Sequence, residues 1–156
     1  MIAAASDLRL DALLDGLLSD PFGFLGLHEE NGGLVMRCFF PGAAAVGIVE
    51  AATGKRVAAL PLAHPAGFFS GPVPGRQWFA YRLLVQYAAG STLLEDPYRF
   101  GPVLGETDRY LLAEGTHLEA YNKMGAHPII CDGVAGVGFA VWAPNARSVR
   151  DRKSVV

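Results

Sequence analysis

The feature that most constrains this fold is a series of short β-rich segments separated by glycine and proline turns. Residues 34–41 alternate between the two faces of a strand, and residues 45–51 and 56–60 flank a Thr53-Gly54-Lys55 turn that predicts a hairpin. The predicted strands are residues 34–41, 45–51, 56–60, 67–73 and 78–87. No strand–helix–strand alternation is visible, so the sequence predicts a mostly β fold, an immunoglobulin-like antiparallel β-sandwich.

Leucines precede these segments. Leu8, Leu10, Leu13, Leu14, Leu17 and Leu18 fall largely on one helical stripe. The stripe predicts one amphipathic helix of about three turns before Asp20-Pro21, docked by its leucines. A further short helix is predicted over residues 106–114, ended by Gly115.

Composition and charge argue against several function classes. The formal net charge is -2 and no cationic cluster is visible, so we expect neither nucleic-acid nor membrane-surface binding. No apolar run approaches the ~18 residues of a membrane span, and no cationic segment precedes the first leucines as in a signal peptide. Cys38 and Cys131 lack metal-type spacing and are expected to be buried, reduced thiols, which predicts a cytoplasmic protein.

The chain also repeats itself. Gly26-Leu27-His28 precedes a strand that closes on FPGA (residues 40–43), and Gly125-Ala126-His127 precedes one that closes on APNA (residues 143–146). The shared order predicts two related sandwich modules in tandem. We therefore expect a helical segment at 1–20, a complete sandwich at 21–104 and a connector at 105–124. Residues 125–156 would be the truncated start of a second sandwich, with only its first strand, left without partners.

Several motifs resemble the N-terminal end of bacterial glycogen branching enzymes. DPF (residues 20–22), GFFSG (67–71), DPYRFGP (96–102) and AEGTHL (113–118) are similar to the first module of that family. Residues 118–146, with their FAVWAPNA strand, resemble the opening of the glycan-binding module that precedes an α-amylase-like barrel. The strand is shared with debranching and trehalose-releasing relatives, whereas the first module indicates the branching enzyme.

The resemblance implies a function for the whole enzyme but not for this chain. The family cuts an α-1,4-glucan, holds it as a covalent glycosyl-enzyme and passes it to a 6-hydroxyl, using two carboxylates on a (β/α)8 barrel. Such a barrel takes roughly 250 residues, so we expect no catalytic residue in this chain and no activity of the fragment alone. The partners implied are α-1,4-glucan or glycogen and the missing barrel. The alternatives are a stand-alone glucan-binding module, a debranching or trehalose-releasing relative, and an interaction domain without sugar affinity.

The terminal residues depart from the family pattern. DRKSVV (residues 151–156) stands where a branching enzyme would continue with a valine strand. These six residues can be encoded by a common sequencing adapter, and we hypothesise that they are a read-through artefact.

Aromatic residues are the candidates for glycan binding, because sugar rings stack their apolar faces on exposed aromatic rings. The candidates are Trp78, Tyr98 and Trp142. Trp78, Phe79 and Tyr81 are predicted to share one strand, where core packing is favoured for each and Trp78 is the best candidate for exposure. Trp142 is predicted to be a module-core residue that a truncated module leaves exposed.

The remaining polar candidates favour structural roles. His28 and His127 occupy matching places in the repeat, and each is expected to make a structural hydrogen bond, since no ligand cluster accompanies it. His64 and His117 are expected to lie in loops without partners. Asp96 is expected to accept backbone N–H bonds in a turn. The sequence predicts no metal site and no cofactor.

Overall fold

The computed structural model describes residues 5–75, 77–146 and 149, with side chains from residue 8 onwards. The chain divides into two units, Met1–Gly101 and Pro102–Val156, and each is described by itself. The hexapeptide at 151–156 lies outside the described residues.

The first unit begins with helix α1, Ala5–Leu14. It ends six residues before the predicted stop at Asp20-Pro21. Gly16 has a positive φ of 70°, and the N–H groups of Gly16 and Leu17 bond to the carbonyls of Leu13 and Ala12. This is the Schellman arrangement, which satisfies the last carbonyls of a helix and turns the chain away. None of the described helices is long and apolar enough to cross a membrane.

The predicted docking of the leucines is correct in part. Leu10, Leu13 and Leu18 pack against a small cluster of Phe24, Leu25 and Phe68. Leu8 and Leu17 are instead exposed. The leucine stripe therefore covers one edge of the unit with half of its six leucines.

Eight strands of the first unit form two four-stranded antiparallel sheets. One has the order β1-β2-β6-β5, and its strands are Gly26–Glu30, Gly33–Phe39, Phe68–Val73 and Leu62–His64. The other has the order β4-β3-β7-β8, and its strands are Arg56–Leu60, Ala45–Glu50, Tyr81–Tyr87 and Gly90–Glu95. The chain crosses between the sheets after β2, β4 and β6. The predicted antiparallel β-sandwich is confirmed.

Alternating burial explains why these strands pack as a sandwich. Alternate residues are buried in β2 (Leu34, Met36 and Cys38) and in β7 (Tyr81, Leu83 and Val85), so one face of each strand points into a shared core. That core contains residues of both sheets: Leu27, Leu34, Met36, Cys38, Val46, Ile48, Leu60, Phe69, Val73, Tyr81, Leu83 and Val85. The predicted hairpin of β3 and β4 is confirmed. The predicted strand at 78–87 begins only at Tyr81, and β1, β5 and β8 lie outside the predicted segments.

The second unit opens with helix α2, Glu106–Glu114, at the predicted bounds. Gly115 ends it in the left-handed conformation, as predicted. A 3-10 turn, Ala120–Asn122, leads to strands β9, Gly125–Cys131, and β10, Val134–Ala140, which pair as an antiparallel hairpin. The expectation of a single strand without partners is therefore wrong. The two-residue turn Asp132-Gly133 folds β10 directly back on β9.

The hairpins β1–β2 and β9–β10 are built alike. The first residue of each Gly-x-His motif has an equivalent strand partner: Gly26 pairs with Arg37 and Gly125 pairs with Ala140. Each partner lies four positions before the proline that follows its strand, Pro41 or Pro144. Their two-residue turns, Asn31-Gly32 and Asp132-Gly133, both have positive φ angles, as a type I′ turn requires. The repeat seen in the sequence is thus a repeat of strand register.

Candidate functional site

Trp78 lies in the segment that carries the chain from one sheet of the sandwich to the other. Strand β6 ends at Val73 and β7 begins at Tyr81, so the predicted strand position of Trp78 is wrong. Pro74 and Gly75 follow β6 at once, and proline has no N–H to continue a ladder. Freed from the sheet, the indole of Trp78 is 53% exposed.

The exposed indole borders an open cleft of about 480 Å³. This volume falls within the range of roughly 300–1,000 Å³ that is usual for small-molecule sites. The cleft is lined by Glu50, Val57, Pro74, Gly75, Gln77, Trp78 and Phe79. One side comes from the β3–β4 hairpin and the other from the crossing segment, so the cleft lies within the first unit.

The floor of the cleft is tied to the hydrophobic core. Val57 and Phe79 are partly buried and pack against the core cluster. The Phe79 ring meets the Tyr81 ring edge-on, with centroids 6.3 Å apart and planes at 69°. The predicted core packing of Phe79 and Tyr81 is therefore confirmed, and Trp78 is the exposed one of the three.

The polar edge of the cleft is supplied by Glu50 and Gln77. Glu50 ends β3, and its carboxylate accepts a hydrogen bond from the Thr53 hydroxyl in the hairpin turn. This contact ties the carboxylate to the hairpin turn. Sequence reasoning passed over Glu50 and Gln77. The adjacent Pro74-Gly75 turn was the available signal, because it predicts that the strand beginning at Trp78 starts later.

Tyr98 is a poorer platform for a sugar. It is half-buried, and its ring meets the Phe22 ring edge-on at 5.2 Å between centroids. Burial raises the pKa of Tyr98, so its hydroxyl stays protonated. The ring is therefore largely occupied by contacts within the first unit.

The DPYR motif that contains Tyr98 forms a buried polar network. Asp96 is 3% exposed and accepts hydrogen bonds from the Tyr81 hydroxyl at 2.6 Å and from the Tyr98 N–H at 3.1 Å, which confirms the predicted turn role. Arg99 donates to the Tyr81 carbonyl at 2.9 Å and lies 3.3 Å from Glu95. Burial raises the pKa of Asp96 and of Tyr81, although the hydrogen bond between them lowers that of Asp96.

Gly26 makes this network possible. Its φ of 96° is one that glycine adopts readily, and a Cβ there would lie 3.1 Å from the Tyr98 Cβ and 3.5 Å from the Tyr81 hydroxyl. The glycine of the first Gly-x-His motif therefore lets β1 pass close to the DPYR turn. The motif and the turn are distant in sequence and pack directly against each other in the structure.

Trp142 follows β10 and is 47% exposed. The predicted exposure of Trp142 is met, whereas its predicted core role has no counterpart among the described residues. Val141 and Phe139 beside it are exposed as well. Trp142 thus lies next to other apolar side chains, in contrast to the mixed polar and apolar surroundings of Trp78.

The paired histidines make matching structural bonds, as predicted. His28 Nε2 lies 2.9 Å from the Leu25 carbonyl, and His127 Nε2 lies 2.8 Å from the Met124 carbonyl. Each ring therefore contacts the carbonyl three residues earlier, at the entry to its hairpin. Across the described ranges, no group of three or more potential ligands is arranged for a metal ion.

His64 ends strand β5 and does not lie in a loop as predicted, and the prediction that His64 and His117 lack partners is wrong as well. His64 Nδ1 accepts a bond from the Ala66 N–H at 3.2 Å. His117 Nε2 lies 3.0 Å from Asp108 Oδ1, and the Lys123 ammonium lies 3.5 Å from Oδ2 of the same carboxylate. The hydrogen bond with His117 is the main cause that lowers the pKa of Asp108. The partner was missed because helix α2 and the following loop fold back on each other.

Both cysteines are free. Cys38 is buried as predicted, and burial raises the pKa of its thiol well above the usual range. Cys131 is only partly buried, since it ends β9 beside the hairpin turn. The expectation of two buried thiols is correct for the first of them.

The comparison with known families agrees with this architecture. A family model described as alpha-1,4-glucan branching enzyme GlgB, N-terminal domain, matches residues 6–98. The match includes all eight strands of the sandwich and the cleft beside Trp78, and it covers more than half of the 156 residues. The chain belongs to the family of the GlgB alpha-1,4-glucan branching enzyme N-terminal domain.

Proposed function

We propose that this chain is an accessory N-terminal region of an enzyme that cuts an α-1,4-glucan and transfers the segment to a 6-hydroxyl, forming an α-1,6 branch in glycogen biosynthesis. The observation that carries the proposal is the family match over residues 6–98. The role of this region is to hold or orient long glucan chains, in the cytoplasm, while the chemistry takes place on a separate barrel.

The carboxylates of Glu95, at the end of β8, and of Asp96, in the DPYR turn, support a role without catalysis. A retaining mechanism needs one carboxylate to attack the sugar and another to exchange a proton with it. Asp96 is buried against Tyr81, and Glu95 bonds to Arg82 at 2.5 Å. Both carboxylates are occupied in holding the sandwich together, so they are poor candidates for contacting a sugar.

The second unit has a separate place in the proposal. Its hairpin repeats the register of β1–β2. We propose that residues 125–146 are the opening hairpin of a second sandwich, of the glycan-binding type, and that 105–124 is a connector. Trp142 would then contribute either to the core of that module or to a glucan surface.

A stand-alone glucan-binding module is the second candidate function. The exposed indole of Trp78 beside Glu50 and Gln77 favours it, because such a surface can bind a sugar without a catalytic partner. The two candidates share glucan contact and differ in whether a branching barrel belongs to the same enzyme.

Two measurements on the 156-residue chain test the proposal. In affinity electrophoresis, we expect glycogen in the gel to retard the chain relative to a protein without glucan affinity. Incubated with amylose, the chain alone should form no α-1,6 linkages, as measured by debranching and chain-length analysis. Unchanged mobility would overturn the glucan contact, and new branch points would overturn the accessory role.

A further inference from the structure

We propose that the cleft between the β3–β4 hairpin and residues 74–75 and 77–79 of the crossing segment is an α-glucan subsite, with the indole of Trp78 as its stacking platform. The ligand is a short stretch of α-1,4-linked glucosyl residues. This inference rests on the proposed function for the class of ligand and deepens it by assigning the surface.

The exposure of Trp78 supports its assignment as the stacking platform. Among the described residues of the first unit, the other large apolar side chains that are exposed are leucines, and Trp78 is the aromatic one. Burying apolar surface yields roughly 25 cal/mol per Å², so a half-exposed indole leaves stabilising free energy unused. Phe79, the next residue, packs against the core, which places the hydrophobic interior directly beside an indole that stays outside it.

The mixture of polar and apolar groups around the indole suits a sugar ligand. A pyranose ring has an apolar face of C–H groups and a rim of hydroxyls, so it needs a flat aromatic surface and hydrogen-bonding groups at the edge. Trp78 supplies the flat surface, and the Glu50 carboxylate and Gln77 amide supply acceptors and donors. An aliphatic patch such as the exposed Leu93 offers neither.

The β3–β4 edge of the cleft is held in place by the hairpin itself. The pairing of β3 with β4 shifts register between Ile48 and Val49, immediately before Glu50. Such bulges redirect the following side chains and occur often beside functional sites. The Thr53 hydroxyl then fixes the redirected carboxylate of Glu50. A ligand would therefore meet a Glu50 carboxylate that is already tied to the hairpin turn, which reduces the entropic cost of binding at this edge of the cleft.

Tryptophan fluorescence can observe the subsite directly. The chain has two tryptophans, so Trp142→Phe leaves Trp78 as the single reporter. Maltoheptaose should change the emission of this variant in a saturable way and lower its quenching by acrylamide about twofold, since stacking covers half-exposed indole surface. Cellohexaose, with β-1,4 linkages, is the control and should leave both signals unchanged. No protection by maltoheptaose, or equal protection by cellohexaose, overturns the assignment.

Substitutions then measure the contribution of each group in glycogen-containing gels. Trp78→Ala should weaken glycogen affinity about tenfold or more, as loss of a central aromatic contact usually does, and Trp78→Tyr should restore most of it. Gln77→Ala, at an exposed loop position, should weaken it about threefold. Leu93→Ala is the matched control: Leu93 is 48% exposed on β8, outside the cleft, and its removal should leave affinity unchanged.

The outcomes separate this inference from the proposed function. If the wild-type chain is retarded by glycogen and Trp78→Ala is retarded equally, the subsite is elsewhere and the glucan role stands. If the wild-type chain is not retarded, both fail. Near-UV circular dichroism checks that Trp78→Ala folds, and if it does not, Gln77→Ala and the acrylamide protection of Trp78 decide the assignment.

Discussion

The hairpins β1–β2 and β9–β10 share a turn type and a strand register, yet they differ in what covers their apolar face. In β2, the side chains of Leu34, Met36 and Cys38 point into the core between two sheets. Counted back from Pro144 as those residues are counted back from Pro41, the corresponding residues of the second hairpin are Val137, Phe139 and Val141. Val137 and Phe139 lie on β10, Val141 follows it, and all three are exposed. Among the residues that the structure describes, the same local construction therefore appears once with an opposing sheet and once without.

This difference separates what a hairpin needs from what a sandwich needs. A two-residue turn with positive φ angles and alternating side chains is enough to set the register of two strands. Stability of the pair requires a third strand or a packed face, because an isolated hairpin is marginal in water. In β2, the partner strand β6 and the opposite sheet supply both.

Truncating Met36 in β2 should lower the free energy of unfolding far more than truncating Phe139, its counterpart in β10. Met36 is 0% exposed and Phe139 is 64% exposed. Met36→Ala should lower the free energy of unfolding of the first unit by about 2–5 kcal/mol, because it leaves a cavity in a close-packed core. Phe139→Ala should change that of the second unit by no more than about 0.5 kcal/mol.

Each unit can be followed by its own tryptophan during unfolding in urea. Trp142→Phe leaves Trp78 to report on the first unit, and Trp78→Phe leaves Trp142 to report on the second. If Phe139→Ala lowered the free energy of unfolding of the second unit by about 2 kcal/mol or more, the proposed difference between the two hairpins would be wrong. The face of β10 would then be covered in solution by a second copy or by another part of the chain.

Much of this architecture follows from local sequence rules. The alternation in residues 34–41 and the Thr53-Gly54 turn were enough to predict β2 and the β3–β4 hairpin. Glycine at 115 was enough to end α2. The hairpin β9–β10 was underpredicted although Asp132-Gly133 is a strong turn signal, because Pro128 lies within β9 and proline argues against a strand. On an edge strand, its missing N–H faces away from the ladder.

The site was harder to predict than the fold, for a physical reason. Trp78 could be named from the sequence, but its exposure depends on where β7 begins, and that is set by the crossing between sheets. Glu50 and Gln77 join Trp78 only because the β3–β4 hairpin and the crossing segment meet in space. Tyr81 and Asp96, 15 positions apart, meet in the same way. Contacts between elements follow the topology, which local patterns do not specify.

Two tyrosine–carboxylate hydrogen bonds allow a buried contact to be compared with an exposed one. Tyr81 donates to Asp96 at 2.6 Å in the core, and Tyr110 donates to Glu114 at 2.7 Å on the exposed side of α2. Tyr81→Phe should cost about 1–3 kcal/mol, because it leaves a buried carboxylate oxygen without a partner. Tyr110→Phe should leave the free energy of unfolding nearly unchanged, since water replaces the lost bond.

The same single-tryptophan unfolding assays measure both tyrosine variants. The substitutions remove one hydroxyl each and leave the ring, so they form a matched pair. If Tyr81→Phe unfolds at the same urea concentration as its parent, the DPYR turn is not a structural anchor of the sandwich, and the assignment of Asp96 to a purely structural role would have to be withdrawn.

Two aspartates should give opposite, smaller dependences of stability on pH. Burial is the main cause that raises the pKa of Asp96 above its ordinary value of 3.8. The folded state then holds more protons than the unfolded state between 3.8 and the folded pKa, so the unfolding free energy of the first unit falls as pH rises through that interval. Asp96→Asn should remove this fall.

Asp108 in the second unit should show the reverse sign. Contacts with His117, the Gly105 N–H and Lys123 hold the pKa of its partly buried carboxylate below 3.8. Its stabilising contribution is therefore complete above pH 3.8 and is lost as pH falls through the lower folded pKa, and Asp108→Asn should remove that loss. Carboxyl carbon chemical shifts from NMR titration give both pKa values directly. A pKa of Asp96 at or below that of Asp108 would contradict the contrast between a buried carboxylate and an ion-paired surface one.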